Sequence, residues 1–410
     1  MATSPDSTAS APANPVATSR LASMDAYRGF VMFLMMAEVL HLGRVAENLH
    51  AAGTPSALWD FLSHHQDHVD WVGCVLHDMI QPSFSFLVGV ALPFSIASRL
   101  ARGQAPVHLW LHALARSVIL VLLGVALRST GSGQTNWTFE DTLSQIGLGY
   151  PFLFLLGFAN RRTQWVAFAI LLIGYWAAFA LYPVVPDFDY ASVGVSADWL
   201  REHGHTGFAA HWQKNSNFAW AADRVILNWF PRAKPWAYNG GGYSTLSFIP
   251  TLATMVFGLL AGSVVRDARP AKDKLFWLVV AGILGLAIGW LLGFLGLCPV
   301  VKRIWTPSWV LFSGGWCCLF LAFFYGVIDV AQRGAWSFPL QVIGMNSIAA
   351  YCMAHLFDGF IGKNLRTHLG QEFFAFAGKV YEPFVHGAAV LFVLWLILYW
   401  MYRRKLFLRI

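Results

Sequence analysis

Between His64 and Val90 the chain reads HHQDHVDWVGCVLHDMIQPSFSFLVGV, its densest run of ionisable groups, set against the start of a long apolar stretch. His68 stands just ahead of that stretch, and His77 and Asp78 lie inside it. An imidazole exchanges protons near neutral pH, so His68 can act as a general base or nucleophile. Asp70 or Asp78 would orient the ring or pair with a cation, and Asp78, within the apolar run, has the stronger claim. Taken singly, a histidine in a polar loop is more often ordinary surface. A titratable group at bilayer depth, however, costs a few kcal/mol unless it is paired or faces a polar cavity, so the cluster as a whole is a candidate reaction centre.

The elements that must position it follow from composition. The chain has 410 residues, 57% hydrophobic and 12% charged, with a mean hydropathy of +0.53. A soluble domain carries roughly twice that charged fraction. Apolar runs long enough to cross a bilayer recur along the sequence, which makes it an all-α membrane protein, a polytopic bundle of about ten transmembrane helices. The net charge of +7 suggests nucleic acid, but most Lys and Arg fall in short loops on one side. That is the positive-inside pattern, and no nucleic-acid partner is expected. The 19 Trp and 12 Tyr suit interfacial belts. The five cysteines (Cys74, Cys298, Cys317, Cys318, Cys352) form no metal spacing and read as small packing residues, so no metal is expected.

Residues 1–19 are rich in Ser, Ala, Pro and Thr and read as a disordered cytoplasmic tail. The spans are expected at Leu21–Leu42, Trp71–Ile96, Val107–Leu127, Thr142–Ala159, Trp165–Val184, Ser244–Val264, Leu275–Leu297, Ser308–Val330, Phe338–Phe357 and Val385–Tyr402. Gly285, Gly289 and Gly293, spaced by four, allow close helix approach. Residues 186–243 are too polar to span and too aromatic for a plain linker; they read as an ordered extracytoplasmic cap loop with a binding face. With both termini cytoplasmic, nearly all dense basic clusters lie inside; Lys302 and Arg303 fall outside, a mild violation of the rule.

Within the spans, Asp25 is the expected partner of Arg28, and Glu38, in FLMMAEVLHLG, should face the bundle interior as a substrate-binding or pairing group. Asn346 and Ser347 interrupt an apolar helix, where they either line a path or bond between helices. His355, four residues after Tyr351, shares its helix face and can reach an interior cavity.

Several ordered motifs resemble one family. RLASMDAYRG (Arg20–Gly29) is similar to the RLxSxDxxRG opening of the heparan-α-glucosaminide N-acetyltransferase family of multispan acyltransferases. His68-x-x-Trp71-x-Gly73, Asp78, Pro82, Phe84, Phe86 and Gly89 continue the likeness. LSQIGLGY (Leu143–Tyr150), STLSFIPTLATMVFGLLAG (Ser244–Gly262), GMNSIAAY (Gly344–Tyr351) and the RRKLF ending extend it over residues 20–410 as one acyltransferase domain. The chain departs from the pattern at Val39, beside Glu38, where the family has Asn, and at Gln145, where it has Arg.

The resemblance implies an acetyltransferase that takes acetyl-CoA from the cytoplasmic face and acetylates an amino sugar on the far side. The family's catalytic histidine corresponds to His68. Arg28, Arg99, Arg102 and Arg162 become candidates for the CoA phosphates, although positive-inside topology explains each as well. Asn346 and Ser347 would line the CoA path, and Trp71, His77, Glu38 and His355 the acceptor site. The expected setting is a bacterial-type inner (plasma) membrane, since the family's large luminal N-terminal domain is not seen. The expected partners are the bilayer, a small-molecule or glycan acceptor, and a second copy in a homodimer. Two alternatives compete: a multispan transporter of a sugar or other small polar solute, against which no internal repeat is visible, and transfer of a longer acyl group to a polysaccharide hydroxyl.

Overall fold

Hydropathy places the helices, and caps and prolines set their ends. The computed structural model describes residues 21–408, so the expected tail at 1–19 lies outside the described residues. The helices are α1 (Ala22–Met36), α2 (Leu42–Ala51), α3 (Ala57–Gln66), α4 (Ile80–Ala101), α5 (Pro106–Arg128), α6 (Thr142–Leu156), α7 (Arg161–Ala180) and α8 (Ala197–His203). They continue as α9 (Phe218–Ile226), α10 (Phe248–Arg266), α11 (Ala271–Phe294), α12 (Pro307–Phe324), α13 (Phe338–Met345), α14 (Ser347–Leu356), α15 (Asp358–Leu369) and α16 (Glu382–Arg403). Side chains of Asp141, Asn160 and Thr306 cap α6, α7 and α12, accepting from the backbone three residues on. Proline opens α5, α12 and α16, where its missing N–H costs nothing.

Among the described residues, eight helical segments are long and apolar enough to cross a membrane. The expected ten become eight for two reasons. The segment α6 has only 15 residues. The expected span from Phe338 to Phe357 is broken at Asn346, whose side chain bonds Leu406 and Leu408 in the terminal stretch instead of continuing the helix. A third correction concerns the second span. It does not begin at Trp71: Gly73, at φ +126, leaves helical space, and its N–H bonds the Val300 carbonyl. His77 and Asp78 therefore occupy a 3₁₀ turn at the head of α4 (His77–Met79), not the interior of a helix. The first span likewise ends in a 3₁₀ turn, Ala37–Leu40, before left-handed His41 redirects the chain into α2.

The axis of the bundle is α10, whose apolar window is 83% buried against 22% for α7, α11 and α16, which present their apolar sides outward. Helix α4 packs backbone to backbone on α10: a Cβ at Gly89 would overlap the Met255 carbonyl, and one at Gly258 the Phe86 carbonyl. The same contact joins α1 to α13 through Gly29 and Gly344. In lipid, where apolar side chains gain little by leaving the solvent, such close van der Waals packing holds helices together. Gly285 and Gly289 meet α12 as the spacing predicts, whereas Gly293 meets Val300 in the following loop.

The 186–243 segment is ordered, carrying α8, α9 and a small core of Val193, Val195 and Trp220. A cluster of Trp71, Tyr175, Phe179, Trp212 and Ile304 seats it on the bundle. Gly258→Ala is expected to destabilise the protein by about 1–3 kcal/mol through overpacking. Gly174→Ala, whose Cβ meets nothing within 4 Å, should instead be neutral or stabilising by up to about 1 kcal/mol. Thermal unfolding of both variants in detergent checks the pair, and equal effects would contradict the packing described.

Candidate active site

The loop that carries His68 is fastened on three sides. From α3, Gln66 donates to the Ala37 carbonyl (2.6 Å) and accepts from the Leu42 N–H (2.8 Å), clamping the 3₁₀ turn that bears Glu38. From the loop before α12, Arg303 donates to the Val69 carbonyl (3.2 Å) and to the Gly241 carbonyl of the cap (2.8 Å). A backbone bridge pairs Val72 with Val301. His68 is thus held in place and does not swing on a free outer segment.

Within this frame a carboxylate, an imidazole and an ammonium meet. His68 Nδ1 lies 2.7 Å from Asp78 Oδ1, and Lys302 Nζ lies 3.1 Å from both. Asp78 Oδ2 accepts from the Val75 N–H (3.2 Å) and the Val69 N–H (3.4 Å). Asp78 is fully buried and Lys302 nearly so, whereas the His68 side chain is 37% exposed. In the tautomer that donates from Nδ1 to the Asp78 carboxylate, Nε2 keeps a lone pair. Burial pushes His68 below the ordinary histidine range; the Asp78 hydrogen bond opposes this and the Lys302 charge adds to it. Burial likewise pushes Lys302 below its ordinary value, against the pull of Asp78. His68 is therefore a neutral, base-competent imidazole at pH 7.

A second pair adjoins the first. His77 Nε2 lies 3.0 Å from Glu38 Oε1, and the His77 ring lies 4.7 Å from that of His68, centre to centre. Glu38, His68, His77, Lys302, Thr142 and His355 line one chamber of about 150 Å³. His355 stacks on Tyr351 and bonds its carbonyl through Nδ1 (2.9 Å). Outward, Glu38, His68 and His77 also line a 380 Å³ vestibule with Arg44 and Gln66. At the opposite end of α1 and α4 lies a 520 Å³ cavity lined by Arg28, Arg99, Arg116, Ser98 and Ser347. Phe84 belongs to both the chamber and this inner cavity, so it stands between them.

The sequence candidates divide accordingly. His68, Asp78, His77, Glu38 and His355 gather at the chamber; Arg28, Arg99 and Ser347 gather at the inner cavity. Arg28 pairs with Asp25 at 3.5 Å, as expected. Three candidates are corrected. Asp70 is exposed and lies 3.6 Å from His203, taking no part in the His68 contacts. Trp71 is buried against Trp199 of the cap and seats the loop. Asn346 is buried and pins the terminal stretch, whose Leu408 lines the inner cavity. Arg102 turns back to the Ser98 carbonyl, and Arg162 is exposed.

Lys302 and Arg116 are the residues sequence reasoning missed as site groups, and each left a signal. Lys302 broke the positive-inside pattern, and Arg116 sits midway along an apolar span.

A half-exposed histidine set on a buried carboxylate–lysine pair, in a bundle whose described residues include eight helical segments able to cross a membrane, is the candidate site of a polytopic membrane protein. No family model matches the chain. It is 23% identical to heparan-alpha-glucosaminide N-acetyltransferase of Homo sapiens over an alignment of 440 positions, covering 95% of this chain and 60% of that protein. It is 22% identical to the protein of the same name from Mus musculus, covering 96% and 61%. The chain thus spans about three fifths of the length of the curated relatives it matches. Over nearly its whole length the chain is similar to these two N-acetyltransferases.

Lys302→Met should destabilise the fold by about 3–5 kcal/mol, because it leaves the buried Asp78 charge uncompensated. Adding Asp78→Asn should recover most of the loss. Thermal unfolding of the single and double variants measures this, and a neutral single substitution would mean that the ion pair does not hold the loops together.

Proposed function

We propose that the protein is a membrane acetyltransferase that moves an acetyl group from acetyl-CoA, bound on the cytoplasmic side, to an amino sugar on the far side, with His68 as the transferring base or relay. The observation that carries this reading is the His68 imidazole, its Nδ1 engaged by Asp78, in a chamber that shares Phe84 with an arginine-lined cavity. The likeness to proteins named for N-acetyl transfer supports it.

The inner cavity suits the CoA end. CoA carries several phosphate charges, and Arg28, Arg99 and Arg116 line a single cavity where they can meet them. Arg116 is held over the Tyr150 ring at 4.6 Å and donates to its hydroxyl (3.3 Å), which fixes the direction of its guanidinium. The thioester passes Phe84 to reach His68.

At the chamber, His68 Nε2 removes a proton from the acceptor nitrogen, the nitrogen attacks the thioester carbonyl, and the C–S bond breaks. The imidazolium then returns its proton to the departing thiolate. Asp78 holds the ring and stabilises the imidazolium, and Lys302 keeps Asp78 ionised in its buried position. In the alternative order Nε2 takes the acetyl group first and passes it to the acceptor; the same lone pair serves both. In the proposed orientation the mouth with Arg28 and Arg99 faces the cytoplasm and both ends of the chain lie inside.

Purified protein is incubated with labelled acetyl-CoA and an acceptor panel that includes glucosamine. His68→Ala should lower product formation about 10²- to 10⁴-fold, and equal labelling by both proteins would remove His68 from the mechanism. Absence of CoA release with every acceptor would favour a transporter instead. Because the His68 pKa is lowered, the basic form prevails above it and is lost as pH falls through it. The acid limb of kcat/KM should therefore have its midpoint below about 6.5. A midpoint above 7 would exclude His68 as the titrating base.

A further inference from the structure

We propose that Glu38 is the ammonium-binding residue of the acceptor site, so that the outer chamber selects cationic amine acceptors over neutral hydroxyl sugars. The proposal deepens the acetyltransfer reading and rests on it for the reaction, though not for the binding.

The first support is position. Glu38 lines the 150 Å³ chamber and the 380 Å³ vestibule, both shared with His68. It also lines a third cavity, of about 530 Å³, with Val39, His41, Lys363, Arg366 and His386. Among the described residues it is the one side chain common to these three spaces, so it borders each of them, beside His68 in the first two. Its side chain is 58% exposed, into the spaces it lines, although it belongs to the first membrane-spanning segment.

The second support is rigidity. Glu38 sits on the 3₁₀ turn that Gln66 clamps from one side. From the other side α16 presses against the turn at Gly387, where a Cβ would overlap the Val39 carbonyl. Buried His77 holds one carboxylate oxygen at 3.0 Å. A carboxylate so fixed is a preorganised partner for a cation.

The third support is charge. Lys302 pairs with Asp78 at 3.1 Å, and Glu38, bonded by His77, meets no lysine or arginine in the chamber among the described residues. A fixed carboxylate attracts a counter-charge, and an amino sugar brings one. The reaction uses it as R–NH₃⁺ + acetyl-S-CoA → R–NH–COCH₃ + HS-CoA + H⁺. Of the two protons nitrogen gives up, one leaves on sulfur through His68 and the other passes to water in the vestibule. A neutral hydroxyl acceptor has no charge to place against Glu38.

The test uses purified full-length protein, with glucosamine and glucose as probes. Glucosamine should raise the thermal midpoint of the unaltered protein and glucose should not; equal stabilisation by both, or by neither, overturns the proposal whatever any variant does. Glu38→Gln should abolish the glucosamine effect, and in turnover raise KM for glucosamine about 10- to 100-fold, the loss expected for a charge-assisted bond. Stabilisation by acetyl-CoA should be retained, showing that the variant is folded. Unchanged glucosamine binding by folded Glu38→Gln also overturns it. If glucosamine binds selectively yet no acetyl transfer to any amine occurs, the acetyltransferase reading fails while the ammonium site stands.

Discussion

The structure depends on one buried ion pair. Lys302 and Asp78 are 224 positions apart and meet at 3.1 Å with almost no solvent access. Neither charge is tolerable at that depth without the other. Their pairing forces the loop before α12 against the head of α4, and the loop with His68 is caught between. Val72–Val301, Gly73–Val300 and Arg303–Val69 all follow the same seam. A pair of opposite charges contributes little net stability once desolvation is counted. What this one supplies is placement: it fixes where an imidazole can stand and leaves the ring neutral.

The bundle contributes a rigid frame for that seam. Helices α4 and α10 touch through glycine backbones, as do α1 and α13. These are the helices whose ends carry the site: α1 leads to Glu38, and α4 begins just after Asp78. Contacts without side chains at the interface leave little room for sliding, so the distance between the two titratable pairs is set by backbone packing. The broken helix at Asn346 serves the other end, because its side chain ties down the stretch whose Leu408 lines the inner cavity.

Much of this was legible in the sequence, and the misses have physical causes. Hydropathy located the apolar runs behind the eight long helices, since an apolar run is a local property. It overran the start of the second because Trp71, Val72 and Val75 are as apolar as a helix, while Gly73 and the remote Val300 decide the backbone. It joined α13 to α14 because an Asn in an apolar run reads equally well as a continuing residue. His68, His77, Asp78 and Glu38, which the structure brings together, stand out in the sequence because ionisable groups beside apolar runs are rare. Lys302 was seen and set aside as a topological blemish: its partner is long-range, and nothing near residue 302 in the chain announces a carboxylate. Asp70 was over-read for the opposite reason, being adjacent in sequence to His68 but turned towards His203.

The two mouths differ in sign, and that difference orders the chemistry along the bundle. The inner cavity gathers three arginines, while the outer chamber, with its lysine paired to Asp78, carries Glu38. A polyanion is drawn to the first and repelled by the second; a small cation experiences the reverse. Phe84, shared by both, marks the boundary between the two. His68 is suited to that boundary because it is neutral until the moment it takes a proton. Asp78, at 2.7 Å, opposes the effect of burial and of the Lys302 charge on that ring.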